Sequence, residues 1–170
     1  MSPLARTLAS TLAAFAVVGA LVGCARSPEP TPTPTGFASE AEAFEAAEAT
    51  YRAYVDATNA QRMDPLHSPA PESFLRGDAL ADELEATQQL RDLGISVEGD
   101  TVVAEVVHMA VSASTATLNV CLDSSQTRVI DENNNDVTPE RETPTLVRVE
   151  FLFAGQIYIT SSSTVRTGSC

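Results

Sequence analysis

The sequence contains no lysine, so all ten of its cationic residues are arginines. Against these stand 23 aspartates and glutamates, which give a formal net charge of −13 at pH 7. A surface of that sign repels phosphate backbones and anionic lipid headgroups. The composition therefore argues against nucleic-acid binding, and it predicts that the folded part stands off an anionic membrane surface.

Motifs that mark common enzymes and metal sites are also missing from the sequence. There is no GxSxG nucleophile motif, no GxxxxGK phosphate loop and no GxGxxG dinucleotide motif. Neither a CxxC pair nor a cysteine–histidine cluster occurs, so the chain has no zinc signature. We therefore predict no cofactor and no metal ion.

Long apolar runs are scarce, and one lies close to the first residue. Residues 8–22 contain no ionisable side chain, and they lie between Arg6 and Gly23. A positive start, an apolar middle and a small residue at the cleavage point are typical of a secretory signal peptide. The run is shorter than the about 20 residues of a comfortable membrane span. The alternative interpretation is an uncleaved anchor helix, or cleavage elsewhere with Cys24 an ordinary thiol.

The segment Leu21-Val22-Gly23-Cys24 resembles the lipobox of bacterial lipoproteins. This resemblance implies cleavage before Cys24, acyl chains on its thiol, and attachment to the extracytoplasmic face of the cell membrane. Two acyl chains hold a protein where one is marginal. We expect a signal peptide over 1–23, a lipidated Pro/Thr-rich tether over 24–37 in extended polyproline II geometry, and a single domain over 38–170.

Three cysteines are present, and their compartment determines how they pair. If Cys24 carries lipid, Cys121 and Cys170 remain as an even pair in an oxidising compartment. A disulfide between them closes a loop of about 50 residues, for which chain entropy gives about 4 kcal/mol. The alternative is two free thiols.

Two helices are predicted in the first half of the domain. Ser39-Glu40-Ala41-Glu42 is a capping box, and a buried stripe follows until Asp64-Pro65 ends the helix. A short helical turn is predicted over 72–76. A second helix is expected from about Asp78 to a left-handed cap at Gly94, with Ile95 closing onto Leu90. The positions predicted to face inward are Phe44, Ala47, Tyr51, Tyr54, Val55 and Thr58 in the first helix, and Leu80, Leu84, Thr87, Leu90 and Leu93 in the second.

After Gly94 the apolar period changes from helical to two. Gly99-Asp100 predicts a hairpin that joins 95–98 to 101–111. Further strands are predicted over 115–123, 146–153 and 156–162, with Ala154-Gly155 as a tight connection. Helices followed by an antiparallel meander predict an α+β fold with the helices on one face of the sheet.

The helical half, the Gly-Asp turn, the Val120-Cys121-Leu122-Asp123 strand and the ending Gly168-Ser169-Cys170 together resemble small actinobacterial lipoproteins with a nuclear transport factor 2-like domain. The likeness covers roughly 38–170. It implies a curved antiparallel sheet wrapped by helices into a cone. That fold family includes ketosteroid isomerases, dehydratases and cyclases as well as non-catalytic binding and assembly modules, so the resemblance leaves the activity open.

The mouth of such a cone is the expected ligand pocket. An isomerase-like site requires a carboxylate base facing a tyrosine or an acid. The candidate pocket residues are Tyr51, Tyr54 and His108. The alternative interpretation is that the two tyrosines pack in the core and that the histidine has a structural role. Glu105 falls on the strand face of Val103, opposite His108, so these two meet only if the strand is bulged. Two further ionisable groups are expected to be solvated, namely Asp56 and His67.

Residues 131–142 partly match a calcium-binding loop. Asp131, Asn133, Asn135 and Glu142 occupy positions 1, 3, 5 and 12, but Asp136 stands where that loop needs glycine. A polar hairpin tip is the preferred interpretation, and weak calcium binding in an interaction module is the alternative.

The sequence thus predicts a membrane-anchored cell-envelope lipoprotein whose domain has a non-catalytic binding or structural role. A small apolar ligand or another envelope protein is the expected partner, besides the membrane itself. The alternative is a small-molecule isomerase or lyase that uses the cone pocket, with His108 or a tyrosine as its acid–base group.

Overall fold

The computed structural model describes residues 36–170. The predicted signal peptide, the lipidation site Cys24 and the tether up to residue 35 lie outside these residues. No helix among the residues that the structure describes is long and apolar enough to cross a membrane.

Helix α1 spans Glu40–Met63 and begins at the predicted capping box. The hydroxyl of Ser39 accepts a hydrogen bond from the backbone N–H of Glu42 at 3.1 Å. The Glu42 carboxylate reaches back to the N–H of Ala38, one residue before the serine. The first contact satisfies a backbone donor that the first helical turn leaves unpaired, and the second satisfies the backbone donor just before the cap. The predicted start is confirmed, and the chain leaves the helix at Asp64 as expected.

Helix α2 spans Gly77–Asp92 and follows a short 3-10 helix over Pro71–Phe74. Gly94 has a φ of +63°, and the N–H of Ile95 donates to the carbonyl of Leu90 at 2.9 Å. This confirms the left-handed cap. The inward stripe was predicted too broadly, because Leu84 is 52% exposed and Leu93 is 66% exposed. Helix α2 packs mainly on one strand, β6 (Gln156–Thr164), so only a narrow line of side chains is covered.

Four antiparallel strands form the main sheet in the order β2-β3-β5-β6. Their bounds agree with the predicted strands to within two residues. They are β2 (Val102–Val111), β3 (Thr115–Asp123), β5 (Thr145–Ala154) and β6. The structure is therefore α+β, with two helices packed on antiparallel sheet, as the sequence predicts.

A separate two-stranded sheet corrects the hairpin prediction at Gly99-Asp100. Strand β1 (Ser96–Glu98) pairs with β4 (Arg128–Ile130), and its neighbour in sequence, β2, pairs with β3 instead. Gly99 has a φ of +81°, and a Cβ there would lie 2.2 Å from the carbonyl oxygen of Gln126. Glycine is needed here for a close backbone crossing beside β4, and not for a two-residue hairpin.

The core lies between the helices and one face of the main sheet. Helix α1 contributes a buried line of side chains at steps of four residues, and β3, β5 and β6 contribute the facing apolar side chains. The largest fully buried side chains of the sheet are those of Leu118, Val120, Val149, Phe151 and Ile159. Alternation along each strand places these residues on one face, so burying them fixes the register of the sheet.

Strand β2 carries two register shifts, between Val103 and Glu105 and between His108 and Ala110. A β-bulge inserts one residue and exchanges the faces on either side of it. Val103 is buried and Val106 packs partly against the core, whereas Glu105 is exposed. The predicted placement of Glu105 on the face of Val103 is therefore wrong, because strict alternation does not survive the first bulge.

Cys121 on β3 and Cys170 form a disulfide, with their Cα atoms 5.6 Å apart. The predicted pair is confirmed. The chain after β6 runs alongside β5 before it reaches the disulfide. Along this path the N–H of Val165 donates to the carbonyl of Leu146. A Cβ on Gly168 would lie 3.0 Å from the Leu146 side chain. The final segment therefore lies closely against the end of the main sheet.

Candidate functional site

A pocket of about 220 Å³ lies where the last turns of α1 meet the ends of β3 and β6. One wall is the face of α1 that continues the core stripe towards the end of the helix. The other wall comes from Thr101 and from three residues of the sheet and its following turn, namely Leu122, Ser124 and Ser162. Both predicted tyrosines, Tyr51 and Tyr54, line this pocket.

Tyr51 forms the inner end of the pocket. Its side chain is fully buried, and its ring packs edge-on against Phe151 with 6.5 Å between centroids. Burial raises the pKa of Tyr51 to about 12, while a hydrogen bond with Ser162 acts in the opposite direction. The phenol is therefore protonated across the physiological range and acts as a hydrogen-bond donor or acceptor, but not as a base.

Tyr54 links the two helices. Its hydroxyl donates to the Glu83 carboxylate of α2 at 3.0 Å. Burial raises the pKa of Tyr54 strongly, and the negative charge of Glu83 adds to the increase. Glu83 is half-buried and takes the inward position that the sequence analysis gave to Leu84. The Tyr54 hydroxyl is thus the hydrogen-bond partner of this inward carboxylate. Its proton is used in that bond and is not free for a ligand.

Arg62 lies at the other end of the pocket and is the functional candidate that the sequence analysis did not identify. Its Nη1 atom donates to the Gly99 carbonyl at 2.9 Å, to Asn59 Oδ1 at 3.1 Å and to Thr101 Oγ1 at 3.3 Å. Burial lowers the pKa of Arg62, and the nearby charge of Asp100 partly offsets this. One face of α1 carries Tyr51, Val55, Asn59 and Arg62, so the buried stripe changes from apolar to polar towards the end of the helix. That change was the sequence signal that could have indicated Arg62.

Asn59 fixes the wall from which Arg62 projects. Its Nδ2 donates to the Thr101 carbonyl at 2.8 Å, and its Oδ1 accepts from the Thr101 N–H at 3.0 Å. This two-way amide pairing joins α1 to the chain entering β2. The part of α1 that carries Arg62 is therefore held rigidly in place. This lowers the conformational entropy that the Arg62 side chain loses when it binds a partner.

His108 lies away from this pocket, on β2 beside the first half of α1. Its ring stacks on Phe44 with 4.5 Å between centroids, and its Nε2 lies 3.5 Å from a carboxylate oxygen of Glu48. The other Glu48 oxygen accepts from Arg52 at 2.8 and 2.9 Å, and Arg52 also donates to the Val103 carbonyl. The structure thus brings Tyr51 and Tyr54 together and places His108 in a contact between helix and strand.

The loop after β4 is folded around Asp131. Its carboxylate accepts hydrogen bonds from the backbone N–H groups of Asn133 and Asn135 and from the Asn135 side chain. These bonds lower the pKa of Asp131. Ile130 and Asp136 form an antiparallel bridge across the loop, which gives it the shape of a tight polar hairpin tip. Within residues 36–170, no group of three or more His, Cys, Asp or Glu side chains is arranged to hold a metal ion.

No family model and no curated protein matches this chain. Among solved structures, the chain is similar to the crystal structure of the intermembrane space region of the chloroplast protein ARC6. The sequence identity is 17%, the TM-score is 0.47, and the alignment covers 69% of this chain and 95% of that chain.

Proposed function

We propose that this protein is a lipoprotein anchored by Cys24 to the extracytoplasmic face of the cell membrane, and that its α+β domain binds a small molecule without catalysis. The lipobox-like Leu21–Cys24 segment and the Pro/Thr tether support the anchor. The disulfide between Cys121 and Cys170 fits an oxidising compartment. An antiparallel sheet with helices on one face is compatible with a cone of the nuclear transport factor 2-like type.

The observation that carries the binding function is the pocket between α1 and the sheet. Its walls combine the phenol of Tyr51, the hydroxyls of Ser124 and Ser162 and the guanidinium of Arg62 with the apolar side chain of Leu122. Polar groups that converge in a partly apolar concavity are the usual composition of a small-molecule site. The size of the pocket suits a compact ligand and not a polymer.

The hydrogen bonds within the pocket support binding over catalysis. The Tyr54 hydroxyl is bonded to Glu83, and the guanidinium of Arg62 is held by backbone and side-chain oxygens. A general base has to reach its substrate proton with a pKa near the working pH. Tyr51 is the remaining acid–base candidate, and the raised pKa of its phenol suits it to donate a hydrogen bond to a ligand.

The isomerase or lyase alternative depends on that same phenol, because a neutral buried tyrosine can stabilise a developing oxyanion. Such an enzyme would still need a carboxylate or imidazole base facing Tyr51. His108 lies beside Phe44 and Glu48 and does not line the pocket, so it does not supply that base.

The experiment is a ligand-observed NMR screen of the full-length protein in non-ionic detergent, with a library of small neutral and charged fragments. Ser162→Leu introduces a larger side chain into the pocket wall from an exposed position, so it should block binding. Because it also removes the hydrogen bond between Ser162 and Tyr51, near-UV circular dichroism checks that the variant is folded. His108→Ala is the matched control outside the pocket, and it should leave the affinities unchanged. Fragments that bind Ser162→Leu as well as wild type, or no binding at all, would contradict the proposed site.

A further inference from the structure

The unused donors of Arg62 indicate the chemistry of the ligand. A guanidinium carries five N–H donors, and Nη1 supplies two of them. Three protein oxygens surround Nη1, whereas Nε and Nη2 take part in no hydrogen bond within residues 36–170. The side chain lines the pocket and is half-buried, so these donors belong to a partly desolvated cation. A planar group with two donor atoms on one edge matches a carboxylate in geometry and in charge.

The surroundings of Arg62 favour a ligand with a short body attached to the anionic group. Val55 and Leu122 supply apolar surface, and the hydroxyls of Ser124 and Ser162 supply polar contacts further along the pocket. Arg62 is also held in place, because the Asn59–Thr101 amide pairing supports two of the oxygens that Nη1 contacts. A fixed guanidinium loses less entropy on binding than a flexible surface arginine.

Two acidic side chains limit the strength of such a site. Asp100 and Glu83 lie close enough to raise the pKa of Arg62, although burial outweighs them. The carboxylate of Glu83 already accepts the hydrogen bond of Tyr54, and Asp100 is exposed to solvent. The guanidinium is charged in any case, and the two carboxylates repel an incoming anion. A modest and salt-sensitive affinity is the consequence.

We propose that Arg62 anchors the carboxylate of a small monocarboxylic acid whose body fills the pocket towards Tyr51. This inference rests on the proposed binding function and adds the chemical class of the ligand. Because the carboxylate is recognised through a charge, an uncharged analogue of the same size and shape should bind more weakly by at least tenfold.

The test compares benzoate with benzamide, which has nearly the same shape and no charge. Binding to the full-length protein in non-ionic detergent is measured by NMR titration at constant ionic strength. Wild type should bind benzoate at least tenfold more tightly than benzamide. Arg62→Gln should abolish that preference, while Arg91→Gln, which removes an exposed arginine of α2, should retain it. Near-UV circular dichroism checks that each variant is folded.

Separate outcomes distinguish this inference from the proposed function. Equal binding of the two probes to wild type, with both lost in Ser162→Leu, would overturn the carboxylate preference and leave the pocket intact as a binding site. A preference for benzoate that persists in Arg62→Gln would overturn the role of Arg62. If neither probe binds, the inference fails, and the wider fragment screen then decides whether the pocket binds any ligand. Should Arg62→Gln fail to fold, Arg62→Lys replaces it, and it should lose most of the preference because lysine lacks the planar pair of donors.

Discussion

The most quantitative prediction concerns the buried phenol of Tyr51 at alkaline pH. Burial raises its pKa in the folded protein from 10.0 to about 12. Above pH 10 the phenol ionises in the unfolded chain before it does in the folded one, so the unfolded state is favoured as the pH rises. A group whose pKa is raised on folding contributes stability that is complete below its unfolded pKa and is lost as the pH passes through the folded value.

The size of the effect follows from the shift. One pKa unit corresponds to about 1.4 kcal/mol, so a shift of two units removes about 3 kcal/mol in total once the pH is well above 12. Roughly 1.4 kcal/mol of this should be lost between pH 8 and pH 11. Tyr51→Phe removes the ionising group, and the stability of this variant should fall less steeply over the same range. Tyr54 also has a raised pKa, so part of the decrease should remain in the variant.

The assay is urea unfolding followed by far-UV circular dichroism at pH 8, 10 and 11. The chain has no tryptophan and three tyrosines, so absorbance near the phenolate band reports the ionisation directly. Tyr158→Phe is the matched control, because within residues 36–170 the hydroxyl of Tyr158 donates only to the exposed side chain of Gln156. Equal losses of stability in wild type and Tyr51→Phe between pH 8 and pH 11 would refute the reasoning.

Three further predictions concern the stability of the fold and are checked by urea unfolding under non-reducing conditions. Cys170→Ser opens a 49-residue separation and should lower the free energy of unfolding by about 4 kcal/mol; a loss under about 1 kcal/mol would contradict the chain-entropy account. Gly99→Ala should destabilise far more than Gly155→Ala, because both have positive φ but only Gly99 faces a backbone oxygen at 2.2 Å; similar losses would be inconsistent with that crossing. Phe151→Ala should cost about 3–5 kcal/mol and the exposed Leu152→Ala under about 1 kcal/mol; the reverse order would show that the sheet buries its other face.

Local features of the fold were predictable because their chemistry is contained in a few neighbouring residues. The capping box at Ser39 and the left-handed cap at Gly94 each depend on contacts within five residues. Strand β3 was predicted at its exact bounds, because apolar residues alternate along it and the face that carries Ala116, Leu118 and Val120 is buried. The disulfide followed from counting cysteines and from the expected compartment.

Apart from the disulfide, features that depend on contacts between distant residues were not predictable. The pairing of β1 with β4 joins segments about 30 residues apart, and nothing local to Gly99 indicates the backbone of Gln126 beside it. The bulges of β2 interrupt an alternation that the sequence shows as regular. The candidate site was predicted only in part. The spacing of apolar residues indicated Tyr51 as a core position. The role of Arg62 depends on its hydrogen bonds with Gly99 and Thr101, which are distant in sequence.

The anchoring of the chain at residue 24 is the claim on which the proposed compartment, display and pairing of the other cysteines depend. Intact-mass spectrometry of the protein extracted from membranes of its native host tests it directly. The account predicts a polypeptide that begins at Cys24 and carries the added mass of acyl chains on that residue. A polypeptide that retains Met1, or one in which Cys24 is unmodified, would contradict it.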